Sequence, residues 1–206
     1  MIIAIDGPAG AGKSSVARAL AVRLGVRYLD TGAMYRALTW LAERRGIPLD
    51  DEVALAALAR EEFGEGGTVV IAGADVTRAI REPVIDSSVP IVARHPEVRE
   101  VMRERQRALA DLGDSVIEGR DIGEVVVPHA DLKVWLVADA EVRAARRHAE
   151  REGIDPAELA AEMRRRDERD AGNTHRAPDA VEVDTTDLTL DEVIDRIAGL
   201  VRERIA

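Results

Sequence analysis

Apolar residues come in two rhythms along this chain. Short β-type runs occur at Ile2 to Ile5, Val26 to Leu29, Val116 to Glu118, Leu132 to Val137 and Val181 to Val183. Between them, Ala, Leu and Val recur at helical spacing from about Lys13 to Leu24, Ala33 to Arg45, Asp50 to Glu62, Pro96 to Leu112, Ala140 to Glu152, Pro156 to Arg169 and Leu190 to Arg204. Strand-like runs that alternate with helical ones predict a parallel sheet covered by helices, here an α/β domain with five strands. From Phe63 to Pro90 the texture changes. Gly64-Glu65-Gly66-Gly67 leads into Thr68 to Ala72, then Gly73 and Asp75-Val76, which predicts a small β-hairpin outside the main sheet. The chain is expected to be a single domain over 1–206, with its core at about 1–35, 97–150 and 174–206. An insertion on the substrate side is expected at about 36–96 and a short helical lid at about 151–173.

Length and charge narrow the function classes. One domain of 206 residues buries roughly 70% of its unfolded surface. Twenty-nine basic and thirty-nine acidic side chains leave a formal charge of −10, which argues against a nucleic-acid surface. A phosphorylated ligand must then meet locally placed arginines. There is no cysteine, so disulfides and thiolate metal sites are excluded, as suits a reducing cytosol. Met1 leads straight into Ile2-Ile3-Ala4-Ile5-Asp6, too soon acidic for a secretory segment, and no apolar run approaches the ~18 residues of a membrane span. A cytoplasmic monomer that binds neither membrane nor nucleic acid is the expectation.

Gly7-Pro8-Ala9-Gly10-Ala11-Gly12-Lys13-Ser14 completes the G-x-x-x-x-G-K-[ST] phosphate-binding loop, between the first apolar run and the first helical one. Glycines at this spacing let successive N–H groups surround a polyphosphate, and the following helix adds its positive end. The loop with Lys13, Ser14 and Ser15 is therefore expected to hold a nucleoside triphosphate. Lys13 would reach the β and γ phosphates, and the Ser14 hydroxyl would face Mg²⁺. The fold expected is thus of the P-loop NTPase type.

Three further clusters carry charge to positions that suit this chemistry. Asp30-Thr31-Gly32-Ala33-Met34-Tyr35-Arg36 follows the second predicted strand and opens a helix, where ligands of open α/β sheets bind. Asp30 and Thr31 read equally well as helix N-caps. Glu118-Gly119-Arg120-Asp121 follows the third predicted strand and brings an arginine and a carboxylate to the same rim. Arg164 to Asp170 is an arginine-dense helix whose Glu162–Arg166 and Arg166–Asp170 spacings also suit solvated i,i+4 pairs. Guanidinium groups there could equally clamp a phosphoryl group in transfer.

Taken together, the phosphate loop, D-[ST]-G-A-x-Y-R at Asp30 to Arg36, G-R-D at Gly119 to Asp121 and R-D-x-x-D at Arg166 to Asp170 resemble the bacterial cytidylate kinases over essentially the whole chain. The resemblance implies transfer of the γ-phosphoryl of MgATP to CMP or dCMP, within pyrimidine nucleotide metabolism. It implies that Thr31, Arg99 and Asp121 contact cytosine, that Arg166 and Asp170 contact the sugar, and that Arg36 and Arg120 hold the acceptor phosphate. Asp30 and Tyr35 belong to the same substrate-side segment. Lys13, Arg36, Arg120 and Arg166 are the expected catalytic group. Two positions depart from the pattern. The sugar-contacting serine of the family aligns with Pro90, with Ser87 and Ser88 nearby; the third phosphate-binding arginine falls on Arg176 if the shortened lid loop re-routes, and otherwise on Asn173. A kinase of the same architecture acting on UMP, AMP or shikimate is the alternative. A GTP switch would need an N-K-x-D signal, and the only asparagine, Asn173, is followed by threonine.

Overall fold

The computed structural model describes residues 1–63, 69–150 and 155–205. Its main sheet is built from β1 (Ile2–Asp6), β2 (Arg27–Asp30), β5 (Ser115–Glu118), β6 (Leu132–Val137) and β7 (Val181–Asp184). Their order is β2-β5-β1-β6-β7, with β1 parallel to β5 and β6, and β6 parallel to β7. The five expected strands are all present. Because the chain goes to one side of β1 for β2 and β5 and to the other for β6 and β7, the carboxyl end of β1 is the topological switch point, where α/β sheets place ligands.

Two compact units share the chain, one of residues 1–28 and 113–206, the other of 29–112. In the first, β1 is buried because helices cover the sheet. Ile3, Ile5, Leu132, Val134 and Leu136 pack with Val16, Ala17 and Leu20 of α1 (Lys13–Leu24) and with Val193 and Ile197 of α8 (Leu190–Ile205). α6 (Ala140–Glu150) and α7 (Pro156–Asp170) pack against each other in the same unit. Residues 151–154, where the helix expected from Ala140 to Glu152 ended and the lid began, lie outside the described residues.

The second unit is helical. It contains α2 (Thr31–Arg45), α3 (Glu52–Glu62), α4 (Pro83–Ala93) and α5 (Pro96–Ala110), around a core of Met34, Leu38, Leu55, Phe63, Ile80 and Met102. It is longer at both ends than the 36–96 expected, since α2 and α5 pack within it. The hairpin is present as β3 (Val70–Ile71) and β4 (Ala74–Asp75), antiparallel, while residues 64–68 lie outside the described residues. Helix α4 was not expected. Pro90 inside it, among Val84, Ile85, Val89, Ile91 and Val92, reads locally as extended chain, whereas Pro83 takes the first turn, where proline is tolerated. Burial overrides that preference, because Ile85 and Val92, two turns apart, both enter the core.

Candidate active site

The phosphate loop occupies residues 7–12 between β1 and α1. Gly7 is required there by space as well as by its φ of 150°, since a Cβ would stand 2.3 Å from the Leu136 carbonyl oxygen of β6. At Gly10, φ is 75° and a Cβ would meet Met163 Cε of α7 at 2.7 Å. Gly12 is the N-cap of α1 and supplies no side-chain cap, and the helix has no acidic residue in its first turn. The first turn of α1 is thus left with N–H groups and positive dipole suited to an anion.

Side chains of the first unit converge on this loop. Lys13 Nζ donates to the Pro8 carbonyl at 2.8 Å, which keeps the ammonium over the loop. The Ser14 hydroxyl donates to Glu118 Oε2 at 2.9 Å, and the Tyr28 hydroxyl donates to the other oxygen of the same buried carboxylate. Arg120 Nη1 donates to the Gly7 carbonyl at 2.9 Å, so the G-R-D turn and the loop are directly joined. Arg143 of α6 donates to the Ala9 carbonyl at 2.9 Å and to Asp167 of α7 at 2.7 Å, tying the arginine-dense helix to the loop. Arg146 forks onto Thr185, through its hydroxyl at 2.9 Å and its carbonyl at 2.6 Å. Ser15 is exposed in the first turn of α1.

Asp6, the last residue of β1, was not singled out from the sequence. Its two oxygens accept from the Ile122 and Gly123 N–H groups at 2.9 and 2.8 Å, at the start of a π-helical turn, Ile122–Val126. The Asp6 carboxylate thereby fixes the chain that carries Arg120 and the buried Asp121. Burial pushes the Asp6 carboxyl up to about 6, against the two N–H groups that favour its ionised form. Since the folded value exceeds the unfolded one of 3.8, the unfolded chain releases this proton first as pH rises. Stability conferred by protonated Asp6 is therefore full below about pH 4 and is lost towards pH 6, on the order of 3 kcal/mol in all. Urea midpoints measured from pH 4 to 7 should show this fall in the native protein and its absence in Asp6→Asn; parallel curves would contradict it.

The remaining substrate-side residues fall elsewhere. Asp30, Thr31, Tyr35, Arg36 and Arg99 belong to the second unit. Asp30 is the N-cap of α2, accepting from the Ala33 N–H at 2.8 Å, and its other oxygen accepts from Arg81 at 3.2 Å. Thr31 is buried in the first turn, and the Tyr35 carbonyl accepts from the Thr39 hydroxyl at 2.8 Å. Arg36 is held by Asp86 of α4, and Arg99 is half-buried on α5. Pro90 sits inside α4, where the Ser87 hydroxyl donates to the Val84 carbonyl at 2.7 Å. Arg176 pairs with Glu182 at 2.5 Å and bonds the Ala180 carbonyl, and Asn173 closes a 3-10 turn, Ala171–Asn173. Arg166 and Asp170 lie on α7, but their side chains are outside the described residues.

Fold and loop together define a P-loop nucleotide-binding protein of the α/β kinase type. Among solved structures, shikimate kinase from Bacteroides thetaiotaomicron has the same fold, with a TM-score of 0.53, 18% identity and 98% of each chain covered. TT1252 from Thermus thermophilus has it too, at a TM-score of 0.52 and 23% identity, over 100% of this chain and 98% of that one. Sequence comparison is more specific. The family model for cytidylate kinase matches residues 3–203, and the chain belongs to that family. It is 49% identical over 217 residues to the cytidylate kinase of Geobacillus sp. (strain WCH70), covering 98% of this chain and 97% of that relative. The cytidylate kinase of Streptomyces avermitilis is 45% identical over 218 residues, covering 100% of this chain and 94% of the relative.

Proposed function

We propose that the protein transfers the γ-phosphoryl group of ATP to CMP or dCMP, yielding CDP or dCDP and ADP. The observation that carries this reading is a complete phosphate loop at the switch point of the sheet, in a chain that matches cytidylate kinases along its length. In the proposed arrangement the loop amides, Lys13 and the first turn of α1 hold the donor. Arg36 and Arg120 hold the acceptor phosphate, and Arg166 on α7 meets the group in flight. An oxygen of the acceptor phosphate forms the new bond to the γ phosphorus as the bond to the β,γ-bridging oxygen breaks, and ADP carries away the electron pair. The attacking oxygen is already anionic, so alignment and charge stabilisation suffice and no general base is needed.

The donor set around Ser14 suits Mg²⁺. A hydroxyl hydrogen-bonded to the Glu118 carboxylate is an all-oxygen environment, and the described residues hold no cluster of three or more His, Asp or Glu that would replace the ion's waters. Mg²⁺ held by Ser14 would neutralise charge between the β and γ phosphates when bound.

Base selection follows from hydrogen polarity. Cytosine offers an amino donor at N4 and acceptors at N3 and O2, which match the Asp121 carboxylate and the Arg99 guanidinium, with Thr31 beside them in sequence role. Uracil reverses both partners and leaves buried polar groups opposed. The residues 29–112 form the proposed nucleoside monophosphate unit, and α7 the proposed lid, which would keep water from the donor phosphate. A cytoplasmic role in pyrimidine nucleotide metabolism belongs to the same proposal. The absence of cysteine suits a reducing compartment, and among the described residues no helix is long and apolar enough to cross a membrane. ADP release from MgATP should require CMP or dCMP; equal release without an acceptor would contradict the assignment.

A further inference from the structure

We propose that Asp86 is a positioning residue for Arg36, and that Gly32 supplies the space into which Arg36 is aimed. The proposal rests on the reading that Arg36 holds the acceptor phosphate. Arg36 lies one turn beyond Gly32 on α2, and its long side chain turns back toward the start of the helix, as helical side chains do. There its Nη1 lies 3.1 Å from the position a Cβ on Gly32 would occupy. A Cβ there would make the guanidinium give by a few tenths of an ångström, so glycine lets it rest undisturbed against the first turn of α2. On the other side, Arg36 Nε donates to Asp86 Oδ1 of α4 at 3.0 Å, in an ion pair whose side chains are 16% and 15% exposed.

The use of Nε is what matters chemically. A guanidinium offers five N–H donors in a rigid fork. Asp86 takes the Nε donor, and among the described residues no hydrogen bond is made by Nη1 or Nη2. The four Nη donors thus meet no hydrogen-bond partner among the described residues and suit a ligand, while the plane of the fork is fixed by a carboxylate at its root. Because bidentate phosphate recognition depends on that plane, the ion pair governs how Arg36 meets a phosphate and has no part in contacts to base or donor. Asp86 sits on the helix that local propensity did not foretell. Pro90, four residues on, cannot give the Asp86 carbonyl its helical N–H partner, so the position of Asp86 depends on packing by Ile85 and Val92.

The test compares CMP with cytidine, which keeps the base and sugar but lacks the phosphate. Titration calorimetry with Asp86→Ala should show CMP binding weakened about tenfold, with cytidine and ATP binding unchanged. Asp86→Asn, which keeps a neutral acceptor for Nε, should recover part of the loss. Gly32→Ala should give the same signature in a chain at least as thermostable as the parent, because alanine is the better helix former. Arg36→Ala serves as the reference and should weaken CMP by on the order of 10²-fold. If Arg36→Ala has this effect while Asp86→Ala and Gly32→Ala bind CMP normally, the positioning role is wrong. Equal weakening of CMP, cytidine and ATP in Asp86→Ala would reduce the ion pair to a structural tie and also overturn it. Unchanged CMP binding in Arg36→Ala would instead overturn the assignment of Arg36 itself.

Discussion

Replacing Arg120 by alanine is expected to lower kcat by on the order of 10³-fold while changing ATP affinity by about tenfold at most. The two effects separate because Arg120 is proposed to act on the acceptor phosphate, whereas the donor keeps the loop amides, Lys13 and the end of α1. Among what is lost is the hydrogen bond from Arg120 Nη1 to the Gly7 carbonyl. That bond also explains why the residue is well placed. It ties the G-R-D turn to the first glycine of the loop, next to a second tie in which the Gly119 N–H donates to the Ile5 carbonyl at 3.0 Å. Stopped-flow turnover with calorimetric ATP titration measures both quantities. Turnover like that of the parent would remove Arg120 from the mechanism, and ATP binding lost in step with kcat would make it a strut of the loop.

Asp121→Asn should collapse base selection. The carboxylate can only accept, which matches the N4 amino group of cytosine, whereas an amide can also donate to O4 of uracil. We expect kcat/KM for CMP to fall on the order of 10³-fold and the value for UMP to hold or rise, bringing the two within about tenfold of each other. Melting curves check that the buried substitution is folded. Retention of full CMP preference would show that another group reads the base. A fall for both nucleotides alike would show that Asp121 supports the turn and does not select.

The parts of this structure that were legible in the sequence are those whose local and tertiary preferences agree. Four of the five strands, all but Arg27–Asp30, carry Val or Ile that pack in the sheet, and α1 begins at Lys13 because a glycine loop leads directly into an Ala/Leu-rich run. The phosphate loop was legible for the same reason, since its glycines answer to backbone geometry at Gly7 and Gly10 that few other residues tolerate. Where the two preferences conflict, pattern failed. The proline-bearing α4 reads as extended chain, and with it went Asp86. The charged α6 reads as a solvated helix, so nothing marked Arg143 and Arg146 as residues that reach the loop and Thr185. Asp6 looked like the polar end of a strand; only pairing of β1 with β5 brings the Ile122 and Gly123 N–H groups to it. Asp30 shows the limit from the other side, for it is the N-cap of α2 and also holds Arg81, a double use that no spacing in the sequence distinguishes.

Hydrogen polarity at the base is the feature on which the proposed reaction most depends, and it can be measured without any variant. With MgATP as donor, kcat/KM for CMP should exceed that for UMP by on the order of 10⁴-fold, the range in which a mismatched polar site rejects its isostere. Comparable values for the two monophosphates would contradict the account.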